Sequence, residues 1–307
     1  MTTPKRPWLA YLCLASAMAL VGGYVGLSKL LVAVFPVFLL AWMRFGIAAV
    51  AMATWTRRAP GEAALSPRDR KLLFLESFFG NFLFSICMLY GMALTSALAA
   101  GVTMAAIPAV VALLSRVFLH ERIAARTLAG IACAVGGIAL VAFAKHDPGS
   151  QSGSLLGNLM LLAAVTCEAI YVVIGKKLTG KVSPKRISAL INVWGLALVT
   201  PFGIWQALRF DFSVVPVTSW SLLVFYAVAA SVVTVWLWMT GLKHVPASNA
   251  GVFTVLLPIT AAAVGVVFLG ERISGVQAAA FALALLGVVL ATWPGSDSKG
   301  LTASATR

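Results

Sequence analysis

FLHERI at residues 118–123 and FLGERI at residues 268–273 share five of six letters within one chain. Each copy ends a long apolar run with a glutamate and an arginine. The two copies are 150 positions apart, and the same offset pairs residues that interrupt other apolar runs: Gly91 with Gly241, Gly101 with Gly251, Pro108 with Pro258 and Gly137 with Gly287. Alanine and leucine matches arise by chance in apolar helices, whereas Pro, Gly, Glu and Arg matched in one register indicate an internal duplication.

The composition indicates a membrane protein. The chain is 61% hydrophobic and 10% charged, with a mean hydropathy of +0.98, which is too apolar for a soluble domain that must show water a polar surface. Apolar runs of about 20 residues, the length that a membrane-spanning helix needs, recur along nearly the whole chain. The runs are continuous rather than alternating, which disfavours a transmembrane β-barrel. We therefore predict an all-α polytopic membrane protein.

Charges, prolines and turn residues divide the sequence into ten predicted transmembrane helices. They cover roughly residues 8–32, 36–56, 70–93, 97–119, 125–144, 154–178, 185–208, 217–242, 247–269 and 274–293. With a cytoplasmic N-terminus, most of the 23 Lys and Arg residues fall in cytoplasmic loops; the predicted outer side holds only Lys29, Lys145, Arg209 and Arg272. This bias follows the positive-inside rule and predicts that both termini are cytoplasmic. The net charge of +14 then belongs to loops beside anionic lipid rather than to a nucleic-acid site.

Duplication and helix count together predict two five-helix repeats, residues 1–146 and 147–295, followed by a flexible cytoplasmic tail at residues 296–307. Because five is odd, the second repeat enters the membrane upside down, which puts Glu121 and Glu271 on opposite faces. Inverted repeats around a central cavity are a common architecture of secondary transporters, whose two halves expose one midplane site alternately to each side. The two glutamates either cap the helices that follow them or lock a gate.

The chain resembles the drug/metabolite transporter superfamily in its EamA-type form. The resemblance rests on LLAWMRFGIAA at residues 39–49, on the prolines of helices 4 and 9, and on the ER endings of those helices. It covers essentially the whole chain and is closest to the bacterial aromatic amino acid exporters. Two departures from the family pattern weaken the assignment of a substrate. Asn192 and Val193 stand where the second repeat would carry RF, and the first-helix tryptophan is absent, since residues 18–22 read MALVG.

The resemblance implies a multi-pass protein of the bacterial cytoplasmic (inner) membrane that exports small molecules. The expected substrates are amino acids, aromatic or otherwise apolar, and related amphiphilic metabolites; export of drugs or other metabolites is the alternative. It also implies a cavity lined by helices 1–4 and 6–9, with helices 5 and 10 peripheral. Small residues on helix 5 allow close helix contact and are compatible with a monomer or a weak homodimer.

Three ionisable side chains lie within predicted spans, where charge is costly and should face the interior. Glu168 is halfway along helix 6 and shares a helical face with Tyr171; it could bind a substrate ammonium group, carry a proton, or simply pair with Arg44. Arg44 could bind a substrate carboxylate or act as a buried strut. Glu76 is expected at the membrane interface, paired with the basic residues at 70–71 or extended towards water.

Polar and aromatic side chains at helical spacing complete the predicted substrate site. Each stripe alone is weak, because Ser and Thr also join helices, but the stripes converge from both repeats. The predicted substrate-binding residues are Glu168, Tyr171, Asn81, Phe78, Arg44, Thr103, Ser231, Trp238, Asn249 and Phe253. No cofactor or metal is expected, since no pair of the four cysteines has metal-ligand spacing.

Pro108 and Pro258 are predicted hinges, because a proline in mid-helix removes a backbone hydrogen bond. No Walker-type loop is present, so we expect alternating access without an ATPase, either facilitated or proton-coupled. A membrane-embedded enzyme is a weaker alternative, since no H-E-x-x-H or G-x-S-x-G pattern occurs. A non-transporting scaffold or receptor is a third alternative, against which the polar interior stripes argue.

Overall fold

The computed structural model describes residues 7–58, 62, 64–119, 125–143, 154–178, 182–244, 253 and 256–292. All regular elements within these residues are helical, so the all-α prediction is confirmed. Five stretches are long and apolar enough to cross a membrane: Trp8–Val32, Pro67–Leu94, Leu155–Gly175, Pro184–Ala207 and Val217–Gly241. Shorter apolar helices lie at Val37–Ala51, Ala99–Val111, Leu128–Gly137, Leu256–Leu269 and Gly275–Leu290. The exact ten-span count stays a prediction.

The helices follow the predicted segments closely. They are α1 (Pro7–Val32), α2 (Val37–Ala51), α3 (Pro67–Glu76), α4 (Phe84–Leu94), α5 (Ala97–Met104), α6 (Ile107–Leu119), α7 (Ala125–Phe143), α8 (Leu155–Leu178), α9 (Pro184–Ala207), α10 (Val217–Val228), α11 (Thr234–His244), α12 (Leu256–Leu269) and α13 (Gly275–Thr292).

The third segment begins earlier than the predicted residue 70. Ser66 accepts a hydrogen bond from the Asp69 backbone N–H at 3.1 Å, and the Asp69 carboxylate accepts one from the Ser66 backbone N–H at 3.2 Å. This capping box, with Pro67 at the first helical position, satisfies free N–H groups and fixes the start of α3. The predicted start is three residues late, because the first turn of α3 lies in the charged, proline-containing stretch that precedes residue 70.

Two π-helical segments interrupt otherwise α-helical spans. Ser77–Leu83 joins α3 to α4, and Ala229–Val233 joins α10 to α11. Moving the first segment by the 150-residue repeat offset places it on residues 227–233, over the second. π-Helical turns are rare and occur often at functional sites. Their matching positions therefore favour an internal duplication and a functional site near both segments.

The two hinge prolines are not in mid-helix, so that part of the prediction was wrong. The fourth segment is broken at Ala105 and Ala106, and Pro108 is the second residue of α6. Pro258 is the third residue of α12. In the first turn a missing N–H costs little, because that donor would have no intrahelical partner. The fourth segment is therefore interrupted at residues 105–106 rather than kinked at the proline.

Polar contacts join neighbouring turns at each end of the bundle. At one end, called here the Lys29 end, Ser154 donates to the Leu94 carbonyl at 3.1 Å, and the Lys29 ammonium donates to the Thr95 carbonyl. At the opposite end, called the Glu62 end, Glu62 forms an ion pair with Arg186 at 3.2 Å. The helices between these ends surround a large buried core, and two smaller buried clusters lie beside it.

Candidate substrate site

A cavity of about 80 Å³ lies inside the bundle, with room for several water molecules at roughly 10–15 Å³ each. Its wall is formed by α1, α2, α4, α8, α11, α12 and both π-helical segments, together with residues flanking the break between α5 and α6. Aromatic side chains from four helices line it: Tyr24, Phe84, Tyr171 and Trp238. α7 and α13 contribute none of the lining residues and pack against each other, as expected for helices 5 and 10. α9, the seventh predicted helix, also supplies no lining residue.

A guanidinium group and a carboxyl group share this small cavity. Arg44 is buried, and its guanidinium donates to the Ser85 hydroxyl at 2.5 Å. Its Nε has no hydrogen-bond partner among the described residues. Glu168 also lines the cavity and is partly exposed. The Arg44–Glu168 ion pair weighed as an alternative is not formed among the described residues, so both groups remain available to a ligand.

Arg44 is held in place by rings as well as by Ser85. Its guanidinium carbon lies 4.3 Å from the centroid of the Phe45 ring and 5.6 Å from that of the Tyr226 ring, and guanidinium groups are attracted to ring faces at such distances. Phe45 is fixed in turn, since Asn192 donates to its carbonyl oxygen at 2.9 Å. Asn192, one of the two residues that stand in place of RF in the second half of the chain, therefore contacts the RF pair of the first half.

Five of the predicted binding residues line the cavity, and four of the others do not. The lining ones are Glu168, Tyr171, Asn81, Arg44 and Trp238. The Phe78 ring packs against neighbouring phenylalanines, and the Thr103 hydroxyl donates to the Ala99 carbonyl at 2.9 Å. Ser231 is buried outside the lining, and the Phe253 ring stacks on Tyr11 at 5.7 Å. Asn249, Glu121 and the predicted tail at 296–307 lie outside the described residues.

The sequence prediction missed Tyr24 and left Thr234 out of the site. Both are buried and line the cavity, and the Thr234 hydroxyl has no hydrogen-bond partner among the described residues. Met18, Val21 and Tyr24 follow each other at helical spacing along α1 and all reach the cavity. The tyrosine on this stripe is the only sequence feature that could have indicated a cavity-lining position. From sequence alone, a stripe of apolar residues that lines a cavity looks the same as one that packs on another helix.

The position of Glu76 overturns the interfacial prediction. Its side chain is fully buried, at 0% exposure, whereas Arg70 and Lys71 are exposed. The predicted pairing was wrong because α3 begins at Pro67, which carries Glu76 more than two turns into the bundle.

Glu271 caps a helix, but not the one that follows it. Its carboxylate accepts a hydrogen bond from the Ala97 backbone N–H at 2.8 Å, at the start of α5. Gly270, at φ 64°, turns the chain after α12 so that the Glu271 backbone N–H donates to the Gly265 carbonyl at 2.9 Å. α13 is capped instead by Ser274 and Gln277. The glutamate of FLGERI thus joins the two parts of the chain at the Lys29 end.

Apolar helices surround an interior cavity whose lining includes polar atoms without hydrogen-bond partners among the described residues. This arrangement is typical of a polytopic membrane transporter. The model of the EamA-like transporter family matches this chain twice, over residues 8–143 and 155–293. The chain belongs to that family, within the drug/metabolite transporter superfamily. Its partners are accordingly a small-molecule substrate and the lipid bilayer.

Similar proteins agree with this assignment. The chain is 36% identical over 288 residues to the "Uncharacterized transporter YetK" of Bacillus subtilis (strain 168), covering 92% of this chain and 87% of that protein. It is 25% identical over 285 residues to the "Uncharacterized transporter YyaM" of the same organism, covering 92% and 93%. A solved crystal structure shares the fold with a TM-score of 0.63 at 19% identity, covering 96% of this chain and 98% of that one.

Proposed function

We propose that this transporter exports amino acids, aromatic or otherwise apolar, from the bacterial cytoplasm by alternating access. The observation that carries the proposal is that Arg44 and Glu168 both line one cavity with aromatic walls. A zwitterion presents a carboxylate to the guanidinium and an ammonium group to the carboxylate, while an apolar side chain fits the rings. The outward direction rests on the resemblance to aromatic amino acid exporters.

We further infer that alternating access arises from two inverted five-helix repeats. The repeated FLxERI motif, the double family match and the coincident π-helical segments support this. Helix packing supports it too. α1 packs on α11 and α12 of the second repeat, and its counterpart α8 packs on α4 and α6 of the first, while α2 packs on α9 and α7 on α13. Exchanging the two repeats leaves this set of contacts unchanged.

The substrate proposal is tested by competition in proteoliposomes. Counterflow of radiolabelled phenylalanine is measured against phenylalanine, against the amine that lacks its carboxylate, and against the acid that lacks its ammonium group. Each truncated ligand leaves one cavity charge without its partner, which typically costs about 2–5 kcal/mol, so we expect both to compete more than tenfold less well. Glu168→Gln should remove the penalty for the missing ammonium group, and Arg44→Gln that for the missing carboxylate.

The same assay decides between substrate classes. Arg44→Lys keeps the charge and should retain part of the preference for a carboxylate. If the amine competes as well as phenylalanine and Arg44→Gln changes nothing, the protein exports amphiphilic cations rather than amino acids. If no labelled amino acid exchanges, the amino acid proposal fails.

The inverted arrangement is tested separately by topology. In a cysteine-free background, single cysteines at positions 121 and 271 are treated with a membrane-impermeant thiol reagent in intact cells. We expect position 271 to be labelled from outside and position 121 only after permeabilisation, with both termini cytoplasmic. Labelling of both positions from one side would exclude inverted repeats.

A further inference from the structure

Glu76 carries a carboxyl group into the interior of the helix bundle. Its side chain is 0% exposed, and neither carboxylate oxygen has a hydrogen-bond partner among the described residues. It lies nine residues after Pro67, about 14 Å along the span at 1.5 Å per residue. An ionised carboxylate without a partner is costly in such a place, so these surroundings favour the protonated, neutral form.

The basic groups of the neighbouring helices are directed elsewhere. Arg70 and Lys71 on α3 itself are exposed. On α9, Arg186 forms its ion pair with Glu62, and Lys185 is exposed. The remaining nearby polar groups on those two elements bond to backbone: Ser77 donates to the Ile191 carbonyl and Asn192 to the Phe45 carbonyl. None of these groups neutralises a carboxylate at position 76.

The Glu76 carboxyl is seated against a glycine of α8. A Cβ atom added to Gly175 would lie 2.8 Å from the Glu76 Oε1 and 3.7 Å from the Met239 Cε of α11. The space that holds the carboxyl therefore exists because residue 175 has no side chain. Residues 176 and 177 of α8 are lysines, and their side chains lie outside the described part of the chain.

Glu76 is connected to the cavity through Tyr171. The Tyr171 ring lines the cavity and lies within electrostatic range of both Glu76 and Glu168. It packs directly on Gly80, where an added Cβ would come within 2.3 Å of the ring. Gly80 belongs to the π-helical segment that starts immediately after Glu76 and forms part of the cavity wall. A change in the protonation of Glu76 thus occurs beside the segment that shapes the substrate site.

We propose that Glu76 is a proton-binding site that couples proton movement to substrate transport. In the conformation described here the carboxyl holds its proton against Gly175. When the third span and α8 separate and water reaches the site, the O–H bond breaks and the proton passes to that water. After the molecule has opened to the opposite side, the carboxylate takes a proton from hydronium in the water there, and a new O–H bond forms before the helices pack together again. The coupling rests on the proposed transport function, whereas the proton site itself does not.

The proton site is tested without any substrate, by infrared spectroscopy of the purified protein in lipid at neutral pH. A protonated carboxyl group gives a carbonyl stretching band distinct from that of a carboxylate. We expect this band in the wild type, its loss in Glu76→Gln and its persistence in the matched variant Glu168→Gln. Thermal unfolding followed by tryptophan fluorescence checks that Glu76→Gln is folded. Should it not fold, Glu76→Asp must move the pH at which the band disappears.

Coupling is tested in proteoliposomes with and without an imposed pH gradient. Glu76→Gln should keep counterflow at zero gradient and lose the gradient-driven accumulation that the wild type shows. The proton site would be overturned if the band persisted in Glu76→Gln. It would also be overturned if the wild type lacked the band, which would indicate that Glu76 pairs with Lys176 or Lys177. Retained gradient-driven accumulation in Glu76→Gln would overturn the coupling. If the wild type exchanges no amino acid, the transport proposal fails while the infrared result still decides the proton site.

Discussion

Trp236 and Trp238 lie two residues apart on α11 and meet different surroundings. Trp238 is 9% exposed and lines the cavity, whereas Trp236 is 39% exposed on the outer surface of the bundle. Aromatic pairs contribute about 0.5–1.5 kcal/mol beyond their buried area. We therefore expect Trp238→Leu to raise the KM for phenylalanine roughly two- to tenfold in proteoliposome uptake. Trp236→Leu is the matched control, and an equal effect of both variants would remove Trp238 from the site.

For single residues, the sequence predicted the site best where a charged side chain lies in an apolar span. Arg44 and Glu168 were predicted to face the interior because charge in hydrocarbon is costly, and both line the cavity. Phe78 and Thr103 were placed by helical spacing alone, which assumes 3.6 residues per turn. The π-helical segment that starts at Ser77 changes that spacing, and a backbone hydrogen bond occupies Thr103. Neither effect is visible in a residue pattern.

The packing of α1 on α12 depends on small residues of α1, of which Gly22 makes the closest approach. A Cβ atom added to Gly22 would lie 2.0 Å from the Thr260 hydroxyl oxygen and 2.2 Å from the Leu257 carbonyl oxygen, whereas one added to Gly23 meets nothing within 4 Å. Overpacking typically costs about 1–3 kcal/mol. We expect Gly22→Ala to lower the free energy of unfolding by that amount in reversible unfolding in detergent. Gly23→Ala should be neutral or slightly stabilising, because alanine favours helix.

The break between α5 and α6 gives Pro108 a role that differs from that of a mid-helix kink. The Ala106 N–H donates to the Thr103 carbonyl, three residues earlier, and the Val110 N–H donates to the Ala106 carbonyl, four residues earlier. The backbone hydrogen-bond pattern therefore changes at the break. Pro108→Ala restores an N–H that could continue the helix from α5 into α6. We expect slower counterflow, by several-fold, with unchanged expression and unfolding temperature. Normal rates with lost expression would instead indicate that the proline serves folding.

Helix positions were predictable because apolar runs and turn residues mark them directly, as the agreement over α8 and α9 illustrates. Breaks inside a span were not predictable in the same way. The interruption lies at residues 105–106, and the π-helical turns follow Glu76 and Val228. Local sequence resembles that of a continuous apolar helix in all three places.

At the scale of the whole molecule, the two ends of the bundle are closed by different contacts between distant parts of the chain. At the Lys29 end, the Glu271 carboxylate holds the start of α5, and Lys29 binds the Thr95 carbonyl beside it. At the Glu62 end, the Glu62–Arg186 ion pair joins the loop before α3 to the first turn of α9. In an alternating-access cycle, each set of contacts must break when its own end opens.

Removing the Glu271 contact should therefore shift the molecule towards the conformation open at the Lys29 end. Loss of a helix cap costs about 0.5–2 kcal/mol, which corresponds to a roughly two- to thirtyfold change in the ratio of open to closed forms. In a cysteine-free background with one cysteine at Met104, we expect Glu271→Ala to speed labelling from the Lys29 end by an impermeant thiol reagent. Glu62→Ala is the matched control and should slow that labelling, because it weakens the opposite closure. If both variants change the rate in the same direction, the contacts stabilise the fold as a whole and do not act as alternating gates.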